Sequence, residues 1–456
     1  MKSFVYLWGI SLFEVKLTID LSKSKAYYEE ACRYAPGGSP DGKGWGPEQF
    51  YVAGAHGSQI EDIDGNRYID YHAGAGPIIL GHSDQEVNRA VLDTMHDTGV
   101  QFAQPHCLEV ELTKKLQELI PGADKSALCN AGTDALQLAV RLARTHTGRS
   151  KVVKFEGAYH GWSDGLAIST SPDPDVAGTM SDPQAVPDTS GTLPSTLQDT
   201  IVIPYNDLDI ASERLEKEKH NIACVIVEPI IHGHGILPKD GFLQGLSELC
   251  RSCSILFVLD EIITGFRHDL GGLQRKWNID VDLAVYGKAM ANGYVMSAIT
   301  GKNQFMDHLT PGPAFLSGTY NGNPVSAAAS LKTMEILERP GFYDRLYAKG
   351  AFVREEINKI INELGLNAIA YGYGSVWALY FDKIIPSNYR DITRYLRNGG
   401  KEKYTAYFRF MLNNGIFIPP GRVARNYIYQ AHSDDDLQKT VDVTTRFLRE
   451  FQSSLR

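Results

Sequence analysis

Between about residue 85 and residue 300 the chain alternates helical stretches with short, unbroken apolar runs, clearest at Val152-Val153, Cys224 to Val227, Ile255 to Leu259 and Leu283 to Tyr286. Runs this short and continuous suit strands buried on both faces, the situation in a mostly parallel sheet covered by helices on each side. The expected class is therefore α/β. Three runs end abruptly in an ionisable residue: Val225-Ile226-Val227 in Glu228, Leu256 to Leu259 in Asp260, and Ala284-Val285-Tyr286-Gly287 in Lys288. The carboxyl ends of parallel strands converge on a ligand crevice, so these side chains are candidates for one site. Taken singly, each is more simply a chain emerging into water.

At 456 residues the chain exceeds one compact core, which favours two domains or one large domain with terminal lobes. A net charge of -9 without long runs of like charge argues against an electrostatic grip on nucleic acid or an anionic membrane, leaving small molecules as the expected partners. Six cysteines over this length make no disulfide scaffold. Cys250 and Cys253 form a lone CxxC with no second pair, expected as small buried side chains beside the strand at Ile255, and no metal is expected. The apolar run Phe4 to Phe13 faintly resembles a signal peptide, but Glu14 and Lys16 end it and it is too short to cross a bilayer. Residues 1–20 are read as an extension, and the cytoplasm is the expected location.

Residues 21–75 are expected to begin a smaller lobe. Leu21 to Tyr34 has helical spacing stopped by Pro36-Gly37-Gly38, and Gln59 to Ile63 with Arg67 to Tyr71 flank Asp64-Gly65-Asn66 as a hairpin. Residues 76–325 are expected to form the large domain and 326–456 to complete the small one. Within the large domain, residues 163–198 are rich in serine, proline, aspartate and glycine and are expected to be a long mobile loop that gates something.

The segment Asn130-Ala131-Gly132-Thr133 leads into a helical stripe of Leu136, Ala139, Val140 and Ala143. It places free backbone N–H groups at a helix N-terminus, as a phosphate requires, and is equally compatible with an ordinary helix start capped by Thr133 or Asp134. Neither a Walker lysine nor a GxGxxG fingerprint is present, so a nucleotide finds little support.

Several motifs occur in a telling order: Gly157-Ala158-Tyr159-His160-Gly161, Val227-Glu228-Pro229, Asp260-Glu261 followed by Thr264-Gly265-Phe266-Arg267, Gly287-Lys288, and Gly318-Thr319 with Gly322-Asn323-Pro324. In this order they resemble the class III aminotransferases, and most of all the glutamate-1-semialdehyde 2,1-aminomutase-like group. The likeness runs from about Ala26 to the C-terminus. It implies fold type I: a large domain with a mostly parallel sheet, and a smaller α+β domain built from both termini. It also implies pyridoxal 5'-phosphate as cofactor, an amino donor and a carbonyl acceptor as partners, and a homodimer with shared active sites.

Residue by residue, the resemblance makes Lys288 the Schiff-base lysine and proton carrier, and Asp260 the partner of the pyridine nitrogen. It makes Tyr159 the stacking aromatic, with Ile262 on the opposite ring face, and places His160 beside the cofactor. Gly132 and Thr133 would hold the phosphate, and Thr319 would reach it from a neighbouring subunit. Glu228 sits near the cofactor, where a structural hydrogen bond is an equal reading.

The aminomutase pattern has an arginine shortly after Pro-Gly-Gly, and here the sequence reads Ser39-Pro40-Asp41-Gly42-Lys43-Gly44-Trp45. Lys43 offers a point charge rather than a fork. A tryptophan of that pattern is replaced by Ala73-Gly74-Ala75-Gly76. The expectation is an intermolecular aminotransferase for a bulkier or less acidic substrate, with an intramolecular aminomutase and a non-catalytic cofactor-binding protein as alternatives. Arg422 and Arg425 are candidates for a replacement carboxylate site or surface arginines, and His232 and His234 for substrate contacts or turn residues satisfied by backbone.

Overall fold

The computed structural model describes residues 14–456 apart from positions 40, 41, 43, 47, 310, 311 and 422–424. The chain enters through a helix at Ser22–Ala31, three residues short of the expected end, and then three strands: β1 (Val52–His56), β2 (Gln59–Asp62) and β3 (Arg67–Asp70). The expected hairpin is the antiparallel β2–β3 pair, and β1, unforeseen, adds a third strand on its other side.

The central sheet contains β4 (Lys125–Cys129), β5 (Lys151–Phe155), β6 (Thr200–Ile203), β7 (Ile222–Val227), β8 (Leu256–Glu261), β9 (Leu283–Tyr286) and β10 (Ser297–Gly301), in the order β4-β10-β9-β8-β7-β5-β6. The β5–β6, β5–β7, β7–β8 and β8–β9 pairs are parallel, and β10 alone runs against its neighbours. Every residue of β7, β8 and β9 is buried, which is why these strands read as continuous apolar runs. Cys250 and Cys253 are free and buried, at the end of the helix Phe242–Ser252 that precedes β8.

Register sets the site. Val227 pairs with Leu259, so Glu228 and Asp260 leave adjacent strands at the same level, and Asp260 pairs with Val285, three residues before Lys288. The loops after β4, β5, β7, β8 and β9 all leave by this edge.

Residues from both ends of the chain build the flanking sheets. β11 (Ile369–Tyr371), β12 (Val376–Tyr380) and β14 (Asn426–Tyr427) form one, while β13 (Ile416–Phe417) runs parallel to β3 and joins the N-terminal hairpin. Helix Pro324–Leu337 packs against helices Gln85–Asp97 and Cys107–Leu119 and against the turn Lys288–Ala291. Arg267, fully buried, donates to the carbonyls of Gly76, Ile78 and Ile428, fastening the loop after β8 to the segments before and after it in the chain.

Residues 163–193 are irregular, as the composition anticipates, but the last five residues of the expected loop form a short helix, Pro194–Gln198, started by its proline. The segment is nevertheless tied down. Ile168, Ser169 and Ala177 are buried, Ile168 bridges Pro187, and Arg390 reaches in from helix Tyr389–Tyr395 to donate to the carbonyls of Pro174 and Ala177. Composition signalled the absence of regular structure but not this packing.

Candidate active site

The carboxyl edge of the sheet opens into a cavity of about 660 Å³, within the range typical of small-molecule sites. Gly132, Thr133, Tyr159, Glu228, Asp260, Ile262, Lys288, His234 and Arg425 all line it.

Lys288 follows Gly287 directly at the end of β9 and takes a left-handed backbone, φ 45°, which side-chain-bearing residues rarely adopt. Burial, reinforced by the positive charge of Arg425, lowers its amine to a pKa of about 7, against the smaller opposing pull of Glu228 and Asp260. A large fraction of the amine is therefore uncharged, and nucleophilic, at neutral pH.

Asp260 is buried and fixed from two directions. Its Oδ2 lies 2.7 Å from His160 Nδ1, and its Oδ1 accepts from the Ile262 amide at 3.1 Å. Burial pushes the pKa of His160 down, even though Asp260 pulls it up, and its other ring nitrogen is buried with no partner among the described residues. Glu228, also buried, accepts from the amides of Tyr159 (3.0 Å) and His232 (3.3 Å). Burial and then the nearby Asp260 raise its carboxyl well above the ordinary carboxylate range, so this residue both braces the loops and tends to hold a proton.

Of the two readings the sequence left open for this helix start, capping by Thr133 or Asp134 is not what forms. Neither Thr133 nor Asp134 is the N-cap of helix Gly132–Thr147: Ala131 takes that place, and the Asp134 carboxylate bonds back to the Ala131 amide at 3.2 Å. No side chain caps the helix, so its first amides remain available to an anion. Packing is close here. A Cβ at Gly132 would stand 2.9 Å from Ile262 Cδ1, and one at Gly161, whose φ is 88°, would stand 2.6 Å from Thr133 Oγ1. Tyr159 is 56% exposed, its ring available to a flat ligand.

His234 is brought to the wall, with Nε2 3.4 Å from the Thr170 carbonyl oxygen and its ring 5.0 Å from that of Tyr389. Arg425 lines the cavity, while Lys43 and Arg422 lie outside the described residues. Thr319 is not brought to this cavity in its own chain: it is exposed, and its carbonyl accepts from the Gln101 side chain. His232 does not line it either, standing behind the turn it begins.

Sequence reasoning missed several residues in the wall and in the layer packed behind it. Thr170 and Ser171 belong to the loop whose composition was noticed without any residue being singled out. Tyr389 packs on Gly157, where a Cβ would stand 2.7 Å from its ring, and donates to the Pro172 carbonyl at 3.2 Å. Nothing local marks that tyrosine. Lys154 is given no role by the sequence, yet its buried ammonium donates to the carbonyls of Ala158, Leu166 and Ile168 and supports the Tyr159 loop from below.

The arrangement offers an amine, a fixed carboxylate, an exposed aromatic face and a helix N-terminus around one cavity, which fits a flat, phosphorylated aldehyde. Among the described residues no group of histidine, cysteine and carboxylate side chains is placed to hold a metal, and no helix is long and apolar enough to cross a membrane.

Comparison with known proteins points the same way. The model of the family "Aminotransferase class-III" matches residues 44–400. Glutamate-1-semialdehyde 2,1-aminomutase of Methanobrevibacter smithii is 37% identical over 422 residues, covering 92% of this chain and 96% of that protein. The enzyme of the same name from Francisella tularensis subsp. holarctica is 36% identical, covering 94% of this chain and 99% of its own length. Among solved structures, an omega-transaminase from Sphaerobacter thermophilus superposes with a TM-score of 0.86 at 30% identity, covering 94% of this chain and 98% of that one. A β-phenylalanine aminotransferase from Variovorax paradoxus gives 0.80 at 28% identity, with 95% of each chain covered. By sequence and by fold, this chain belongs to the class III aminotransferases.

Proposed function

We propose that the chain is a pyridoxal 5'-phosphate-dependent aminotransferase that moves an amino group from a donor amino compound to a keto or aldehyde acceptor in two separate half-reactions. The observation that carries this reading is the convergence of Lys288 and Asp260, from the ends of neighbouring strands, on one cavity with Tyr159 and the uncapped Gly132–Thr133 helix start. The bound cofactor supplies an aldehyde to take up amines and a ring that accepts electrons from the substrate carbon.

The side chains divide the remaining work. The uncharged Lys288 amine would hold the cofactor through its aldehyde and would serve as the proton carrier at the substrate carbon bearing nitrogen. Asp260, oriented by His160, keeps a proton on the ring nitrogen. Tyr159 and Ile262, both lining the cavity, would hold the flat ring between them. The amides of Gly132 and Thr133, with the Thr133 hydroxyl, bind phosphate with help from the helix dipole. Glu228 holds the Tyr159 loop against the 232–235 turn. Thr319, away from its own cavity, serves the phosphate of a second copy in a homodimer. Arg425 and His234 face the substrate. In the same reading the domains divide near residues 75 and 325, and the enzyme works in the cytoplasm.

The names of the curated relatives favour a second reading, an intramolecular amine shift on one substrate. One experiment separates the two. A panel of amines is added to the cofactor-loaded enzyme and the aldehyde-form absorption is followed. Aminotransfer predicts that a donor alone bleaches it and that an acceptor, added afterwards without donor, restores it. No bleaching by any amine overturns the proposal. Turnover of a single amino-aldehyde in the absence of any separate donor or acceptor supports the mutase.

A further inference from the structure

Tyr389 is buried behind the cavity, yet it touches three of the segments that line it. Its side chain closes on Gly157 so tightly that a Cβ there, at a φ of 84°, would stand 2.7 Å from its Cδ2 and 2.9 Å from its Cγ. The ring packs on that of His234, centroids 5.0 Å apart at 58°, and the hydroxyl donates to the Pro172 carbonyl at 3.2 Å. Gly157 and Tyr159 line the cavity from the first segment, Gly233 and His234 from the second, and Thr170 and Ser171, directly before Pro172, from the third. One ring thus spaces three wall segments that are far apart in the chain.

The tyrosine is itself held in place. It opens helix Tyr389–Tyr395, which Asn388 caps by accepting from the Asp391 amide at 3.1 Å. Asn206, which follows β6, donates to the carbonyls of Ser387 at 2.8 Å and Leu237 at 2.9 Å and accepts from the Lys239 amide at 2.7 Å, so the chain entering the helix is pinned to the chain leaving the 232–235 turn. Further along, Arg390 bonds Glu156, the neighbour of Gly157, and Arg397 pairs with Asp173 and Asp175 at 3.1 and 3.0 Å. Packed interiors yield where a large side chain is removed, so a wall resting on this ring would retreat without it.

We propose that Tyr389 is a positioning residue for the substrate: without touching it, the ring fixes how far the 170–172 and 232–235 segments stand from the Gly157–Tyr159 loop and so sets the width of the substrate space. The proposal rests on the aminotransferase reading and adds where its size selectivity is set, in helix Tyr389–Tyr395 and outside the cavity lining. The register of β8 and β9 places Lys288 and Asp260 independently of that helix, so the chemistry should survive loss of the ring.

The test follows bleaching of the aldehyde-form absorption of the cofactor-loaded enzyme by stopped flow, against the concentration of butylamine and of 2-phenylethylamine. Tyr389→Leu is expected to raise the half-saturating concentration of butylamine about tenfold and to leave the rate at saturation within about threefold, the mark of lost binding rather than lost chemistry. Its preference between the two amines should move about tenfold towards the bulkier one, because the wall can settle into the space the ring vacates. Tyr389→Phe, which keeps the ring and removes the bond to Pro172, should raise the half-saturating concentration only about threefold.

Hydrogen exchange of the cofactor-loaded protein, read by mass spectrometry, reports the same ties without substrate. Tyr389→Phe should speed exchange in residues 168–172 alone, Tyr389→Leu also in 157–161 and 231–236, and neither in β7, β8 or β9. Faster exchange throughout the central sheet, a rate at saturation that falls as steeply as the affinity, or unchanged amine constants in Tyr389→Leu overturns the positioning role while leaving the aminotransferase reading intact. If neither amine bleaches the wild type, the exchange pattern decides alone, and bleaching by no amine of any kind overturns the aminotransferase reading instead. Should Tyr389→Leu fail to fold, Tyr389→Phe decides, and unchanged exchange in residues 168–172 overturns the proposal.

Discussion

His160 Nδ1 and Asp260 Oδ2 stand 2.7 Å apart with both side chains buried, and the histidine's pKa is lowered by that burial. The neutral imidazole, with its hydrogen on Nδ1, donates to the carboxylate and holds it at the cavity. If that charge acts on the cofactor ring, Asp260→Asn, which preserves shape and can still accept from His160, should leave cofactor attachment intact. It should slow the half-reaction with a good amine by about 10²–10³-fold. Stopped-flow bleaching of the aldehyde-form absorption checks this, and a rate near wild type would remove Asp260 from the chemistry.

Glu228 gives a pH prediction. Because its folded carboxyl sits above the ordinary range, the folded protein keeps a proton that the unfolded chain gives up above about pH 4.3. This residue's contribution to stability should therefore be undiminished at lower pH and fall as pH rises towards the raised folded value. Glu228→Gln abolishes that titration. Unfolding midpoints followed across the acid-to-neutral range should decline less steeply for the variant than for wild type, and parallel curves would show that Glu228 titrates normally.

Arg390 grips Glu156 through two bonds of 2.7 Å and holds the carbonyl of Ala177 at 2.9 Å, joining the end of β5, the 163–193 loop and helix Tyr389–Tyr395. Arg390→Ala leaves the buried Glu156 carboxylate unpaired and should cost about 3 kcal/mol, the low end for breaking a buried pair because the arginine keeps some exposure. Arg390→Lys should recover little, since an ammonium cannot reproduce the fork. Denaturant unfolding measures the loss, and limited proteolysis should show earlier cutting near residues 172–177.

Gly161→Ala tests the cradle. Its Cβ would crowd Thr133 Oγ1 at 2.6 Å and Thr133 Cα at 2.9 Å, at a φ of 88° that alanine resists. A loss of about 1–3 kcal/mol of stability and weaker cofactor retention in dialysis are expected. Retention equal to wild type would place the phosphate elsewhere.

The residues legible in the sequence were those whose surroundings are local. Glu228, Asp260 and Lys288 each end a fully buried strand, so a single apolar run announced both the strand and its chemistry. β10, built from Ser297, Ala298, Ile299, Thr300 and Gly301, is just as buried yet carries no such run, because small side chains suffice between its neighbours, and it went unnoticed with β4 and β6. The packing behind the Gly157 side of the cavity was illegible for a different reason. Arg390 meets Glu156 across 234 positions, and Tyr389 meets Gly157 at similar separation, so only tertiary packing defines those contacts. The sequence left the Gly132 helix start open between a phosphate site and a cap by Thr133 or Asp134, because only the fold shows that Asp134 turns back to the Ala131 amide and leaves the first amides free.

The account stands most directly on where the cofactor attaches. Pyridoxal 5'-phosphate is added to the purified protein, the complex is reduced with borohydride, and the digest is mapped by mass spectrometry. The lowered pKa of about 7 makes the Lys288 amine the most reactive at neutral pH near the cavity, so a single pyridoxyl label on Lys288, absent from Lys288→Ala, is predicted. A label on another lysine in the wild-type protein, or one that persists in Lys288→Ala, would contradict the account.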